Sequence, residues 1–166
     1  MNYLINLKDK KKNFLKKENL YYLIIVSLIF FFDRFSKSKI ISNFNENTYY
    51  INDYVNFNLI WNIGIGFGLL SSDSSIFYNI VTILIGLVII FLFYIFVLST
   101  NVDKLIYSII IGGALGNFYD RLTYKAVPDF IDLHYNNFHW FVFNVADIFI
   151  TLGIIAMLMS GLFKKN

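Results

Sequence analysis

The segments Ile76–Leu98 and Phe141–Phe163 are long, nearly uninterrupted apolar runs. Each meets the roughly 20 residues that a helix needs to cross a bilayer. Asn79 is the most polar member of the first, and Asn144 and Asp147, near its start, interrupt the second. Two shorter runs, Leu20–Phe32 and Leu105–Gly116, lead directly into Asp33-Arg34-Phe35-Ser36-Lys37 and Asn117-Phe118-Tyr119-Asp120-Arg121. They reach spanning length if their charged outer turns enter the interface. Only 15% of the 166 residues are charged and 57% are hydrophobic, too little polar surface for a soluble domain of this size. The expectation is an all-α membrane protein with four transmembrane helices.

Lys and Arg set the orientation. Lys8, Lys10, Lys11, Lys12, Lys16 and Lys17 precede the first run, Lys104 follows the second, and Lys164 and Lys165 end the chain. Residues 41–75 contain acids but no Lys or Arg. Positive-inside reasoning puts both termini in the cytoplasm and 41–75 outside. The expected organisation is a Lys-rich extension over 1–19, one membrane domain over 20–163, and a short tail over 164–166. Arg34, Lys37, Lys39, Arg121 and Lys125 run against this rule, and each lies near an acid that can pair with it. A cleavable signal peptide is the competing reading of the first run. No small-x-small site follows it, and Asp33-Arg34 stands where that site would be. The Lys run suits anionic lipid, and alone it does not make a nucleic-acid site.

With this topology three polar clusters, distant in sequence, meet at the outer leaflet: Asp33 with Lys37, Asn117 with Asp120 and Arg121, and Asn144 with Asp147. Each is spaced to share one helix face. Asp129 lies just beyond the third helix. Ionisable residues at membrane depth are costly and mark functional sites, and two carboxyls at one depth can share a proton and activate water. Gly112, Gly113 and Gly116 give the third helix a small face for close packing. In the outer segment Val55, Phe57, Leu59 and Trp61 alternate with asparagines, a strand signal. A small β-rich cradle between the first two helices is expected. Asn62 and the turn Gly64–Gly68 would serve there in substrate positioning rather than in proton transfer.

Other residues take plainer readings. Asp120 is read as structural, and Asp132 as solvent-facing; Arg121 could pair with Asp120 or bind lipid phosphate or substrate carbonyls. With no Cys, and with His134 and His139 lacking an acidic cluster of ligand spacing, neither a metal nor a cofactor is expected. A small transporter or proton-conducting subunit could also carry Asp, Arg and Asn in a bundle, although usually near the midplane. A lipid-binding protein without catalysis is the other alternative, and the presence of both Asp129 and Asp147 argues against it.

The motifs Asp33-x-x-Ser36-Lys37, Asn62-x-Gly64-x-x-Phe67, Gly112-Gly113-Ala114-x-Gly116-Asn117-x-x-Asp120-Arg121, Val127-x-Asp129-Phe130-Ile131-Asp132 and Phe143-Asn144-x-Ala146-Asp147 occur in this order. Together they resemble the lipoprotein signal peptidase (signal peptidase II) family over roughly residues 20–163. The resemblance implies a four-helix bacterial inner-membrane aspartic endopeptidase with a periplasmic cradle. It implies cleavage of prolipoproteins on the amino side of a diacylglyceryl-modified Cys, contact with membrane phospholipid, inhibition by globomycin, and a monomer. Asp129 and Asp147 match the family's catalytic pair. Asp33, Lys37, Asn62, Gly64, Asn117, Arg121 and Asn144 match its surrounding motif positions. Pro128 departs from the aliphatic or small residue expected there.

Overall fold

The computed structural model describes residues 17–43, 48–64, 75–99, 101–136 and 138–163. These residues form four helices: α1 (Lys17–Asn43), α2 (Ser75–Leu98), α3 (Asn101–Tyr124) and α4 (Val145–Phe163). Four strands, β1 (Tyr49–Asn52), β2 (Val55–Asn62), β3 (Val127–Tyr135) and β4 (Phe138–His139), form one sheet in the order β1-β2-β3-β4 with antiparallel neighbours. Most of the Lys-rich extension, residues 65–68 of the glycine turn, and the tail lie outside the described residues.

α3 packs against each of the other helices, and its small residues permit this. A Cβ on Gly112 would lie 2.8 Å from Ile29 Cβ of α1, and one on Gly113 would lie 2.6 Å from the Ala146 carbonyl of α4. The bundle is apolar outside, and within it polar groups are buried beside an apolar cluster of Val26, Phe96 and Ile111. Leu28, Phe31, Phe32, Ile83, Leu87 and Ile90 are exposed, while Asp33, Lys37, Ser108 and Asp120 are fully buried. Apolar exposure on this scale marks a surface that meets lipid. Two helices, Asn19–Asn43 and Tyr78–Leu98, are long and apolar enough to cross a membrane, and Val145–Gly161 is a shorter apolar helix.

Two features correct the expected cradle and helix limits. β3 and β4 belong to the α3–α4 connection, so the sheet is shared between two distant segments rather than built between α1 and α2. The helices also differ in extent. α1 continues through Asp33 and Lys37 to Asn43, whereas α4 starts at Val145 because Phe143 bridges to Ile131 of β3. α3 stops at Tyr124. Lys125 then takes a left-handed φ of 55°, which ends the helix and turns the chain into β3. Pro128 is buried near the start of β3, opposite Trp61, where a missing N–H is best tolerated.

A core cluster of Ile40, Phe130 and Val145 joins α1, β3 and α4, with Phe57 and Leu59 packed against it from β2. Successive strand residues face opposite sides. Seating Phe130 in this cluster therefore turns Asp129 away from it.

Candidate active site

Asn144 caps α4. Its Oδ1 accepts the Asp147 N–H at 3.1 Å, and Asp147 Oδ2 accepts the Asn144 N–H at 3.1 Å. This reciprocal capping box satisfies helix-end donors and fixes the Asp147 carboxylate at the helix entrance. The Asn144 side chain also reaches β3, where its Nδ2 donates to Asp129 Oδ1 at 2.5 Å. One carboxamide residue therefore touches both acids. Asn62 Nδ2 donates to the other Asp129 oxygen at 2.8 Å, and Asn117 Nδ2 donates to Asp147 Oδ1 at 2.8 Å.

A buried ionic network supports the pair. Lys37 Nζ donates to Asp33 Oδ2 (2.9 Å), Asn117 Oδ1 (2.8 Å) and Asp120 Oδ2 (2.7 Å). Its bond to Asn117 orients that amide toward Asp147. Asp33 Oδ1 accepts the Ala146 N–H at 2.9 Å, placing a carboxylate at the N-terminus of α4. Gly116 has no side chain where Asp33 passes, and a Cβ there would collide with the carboxylate. Asp120 also pairs with Arg34, whose guanidinium lies 4.6 Å from the centre of the Tyr119 ring.

Arg121, whose partner the sequence leaves open, takes a backbone carbonyl. Its Nη2 donates to the Gly64 carbonyl at 2.6 Å, and Gly64 N–H donates to Asn62 Oδ1 at 2.9 Å. Arg121 thus holds the end of β2, which in turn presents Asn62 to Asp129. Asp132 is a further correction, because it is 3% exposed and hydrogen-bonded to His139. Pairing of β3 with β4 removes it from solvent.

All nine residues singled out from the sequence lie in one connected set. Asp129 and Asp147 share Asn144. Asn62, Gly64 and Arg121 approach from the Asp129 side, and Asn117, Lys37 and Asp33 from the Asp147 side. Arg34 and Asp120 join the network through Lys37 and were not among the expected site residues. The proximity of Arg34 to an acid was legible, but its particular partner was not.

Burial pushes the Asp129 carboxyl up to about 7, and the negative charge of Asp147 adds to the rise. The donors on Asn62 and Asn144 favour the ionised form and pull the other way. The Asn62 bond thus bears on the Asp129 carboxyl, beside the substrate positioning expected of this residue. Asn62→Ala removes a donor from the carboxylate. It is expected to lower activity and to move the alkaline limb of the pH–rate profile to higher pH. An unchanged limb would show that the bond has no influence on titration.

A groove of about 270 Å³ includes Asp147 in its wall and is otherwise lined mainly by Leu133, Trp140, Phe143, Ile148 and Leu152. Two carboxyls joined through Asn144 beside an apolar groove, on a helix bundle with an apolar exterior, make a candidate aspartic-protease centre of a membrane protein. The signal peptidase (SPase) II family model matches residues 25–163, and the chain belongs to that family. It is 50% identical over 147 residues to the lipoprotein signal peptidase of Pelagibacter ubique (strain HTCC1062), covering 87% of this chain and 89% of the relative. It is 33% identical over 163 residues to the lipoprotein signal peptidase of Francisella tularensis subsp. novicida (strain U112), covering 92% and 98%. A solved structure described as a bacterial membrane enzyme superposes with a TM-score of 0.76 at 28% identity, covering 88% of this chain and 90% of that one.

Proposed function

We propose that Asp129 and Asp147 are the catalytic pair of this protease, which removes signal peptides from prolipoproteins. The observation that carries the assignment is Asn144, whose backbone N–H and side-chain amide hold one carboxylate each. Two acids held this closely do not both ionise readily, and the pair keeps one proton over a broad pH range. The ionised member takes a proton from water as the water attacks the scissile carbonyl. The protonated member donates to the carbonyl oxygen, and the roles reverse as the amine departs. Asn62, Asn117, Asn144 and Lys37 keep the carboxylates oriented while protons move between them.

We further propose that all four helices span the inner membrane, with both termini in the cytoplasm and the sheet on the periplasmic face. The Lys distribution supports this orientation. The apolar groove beside Asp147 suits acyl chains, so phospholipid contact and a diacylglyceryl-modified Cys on the substrate fit the same surface. Each buried CH₂ contributes about 0.8 kcal/mol to anchoring. The enzyme acts as a monomer, and globomycin competes for the groove.

Cleavage of a synthetic prolipoprotein peptide by purified protein in detergent tests this reading. The peptide carrying the diacylglyceryl group is expected to be cut and the unlipidated peptide to be nearly inert, with globomycin inhibiting competitively. Equal turnover of both peptides would remove the lipid from recognition. A small transporter with the same polar site would cleave neither.

A further inference from the structure

β3 carries a second polar cluster beyond the carboxyl pair. Asp132 and His134 lie two residues apart on the strand and so share a face, and the antiparallel register sets His139 of β4 directly opposite His134. One ligand atom from each of the three lies within 4.8 Å of the other two. His139 Nδ1 is 2.9 and 3.1 Å from the two Asp132 oxygens. The two imidazoles stack with their centres 5.3 Å apart. The Asp132 side chain is 5% exposed and that of His139 54%. His134 Nδ1 is buried and has no hydrogen-bond partner among the described residues. A buried ring nitrogen left without a partner calls for an explanation, and a cation is one. The chain has two histidines and no cysteine, so both of its imidazoles lie in this cluster.

We propose that Asp132, His134 and His139 bind a divalent transition cation of the zinc class. Two imidazoles with one carboxylate suit that chemistry and disfavour magnesium and calcium, which take mainly oxygen ligands. Metal–ligand bonds of about 2.0–2.2 Å require the three donors to draw together by on the order of 1 Å. The exposed ring of His139 can make that movement. The cation ties β4 to β3 and so steadies the strand that carries Asp129. It takes no part in bond cleavage, which belongs to the carboxyl pair. The i,i+5 spacing of the histidines hid the cluster, and only the β3–β4 pairing assembles it.

Purified protein in detergent, with any affinity tag removed, is titrated with Zn²⁺ against a chromophoric chelator, and its thermal unfolding is followed with and without Zn²⁺. The expected result is one saturable equivalent of Zn²⁺ and a higher apparent Tm, with no effect of Mg²⁺ or Ca²⁺. Both responses are lost in His134→Gln and in His139→Gln. His139 is exposed, and its variant is expected to keep the metal-free Tm of the wild type, which separates lost binding from lost folding. Asp129→Asn keeps both responses. Absence of saturable binding, or binding that survives His139→Gln, overturns the proposal. Binding lost in Asp129→Asn but kept in the histidine variants would place the cation on the carboxyl pair and also overturns it.

Discussion

Asp129→Asn and Asp147→Asn are each expected to abolish cleavage of a lipidated prolipoprotein peptide, while both variants still insert and fold. An amide keeps the volume of the carboxyl and one of its two accepted hydrogen bonds, but it cannot shuttle a proton. General acid–base catalysis alone is worth about 10²–10⁴-fold in rate, and these substitutions also remove the activation of water. The Asp129 variant carries a second signature. A carboxyl raised from 3.8 to about 7 by folding holds its proton more tightly in the folded chain than in the unfolded one. Its contribution to stability is complete below pH 3.8 and is lost as pH rises through about 7. Asn carries no such dependence. Relative to wild type, Asp129→Asn is therefore expected to gain apparent Tm between pH 5 and pH 8. About two pH units of the dependence fall in that window, an effect on the order of 3 kcal/mol. Turnover by either variant would remove the two-carboxyl mechanism, and a pH-independent difference in Tm would remove the raised titration of Asp129.

Lys37→Met is expected to be the most damaging substitution outside the pair. The Lys37 side chain is fully buried between Asp33 and Asp120. Breaking a buried ion pair by removing one partner costs about 3–5 kcal/mol, because the remaining charge is left uncompensated. Arg34 still faces Asp120, so the larger loss falls on Asp33. The checks are yield of folded protein and apparent Tm in detergent. Lys37→Met combined with Asp33→Asn is expected to recover part of the stability, since the double variant no longer buries an unpaired carboxylate at that point. Activity is not expected to recover with it, because Asn117 has lost the ammonium that aims its amide at Asp147. A wild-type Tm for Lys37→Met would mean that the network adds nothing to the fold.

Much of this architecture can be read directly from residue order. The apolar run Ile76–Leu98 predicts α2 almost to the residue. The spacing of Asp33 and Lys37 predicts their pairing, and the glycines at 112, 113 and 116 predict the close face of α3. β2 announces itself because one side is apolar and the other carries asparagine. β3 does not. Its first four residues are buried on both faces, so no period-two pattern marks it. The partner of Asp120 was hidden for a different reason. Adjacent helix residues point about 100° apart, so Asp120 turns toward Lys37 and Arg34 of α1 while Arg121 reaches Gly64. The i,i+3 spacing of Asn144 and Asp147 was legible as a shared face. Its actual use, as a cap that also grips Asp129, depends on where β3 passes the head of α4.

The distribution of the site along the chain bears on how the enzyme is made. Asp33 and Lys37 lie on the first helix, Asn62 on the second strand, Asn117 on the third helix, and Asp147 on the last. Chains leave the ribosome N-terminus first, and a domain folds as a unit. With Asp129 and Asp147 as the proposed pair, a nascent chain has no hydrolytic power until its final helix docks and Asn144 meets Asp129. Synthesis acts as its own safety catch, so a stalled or truncated product is inert.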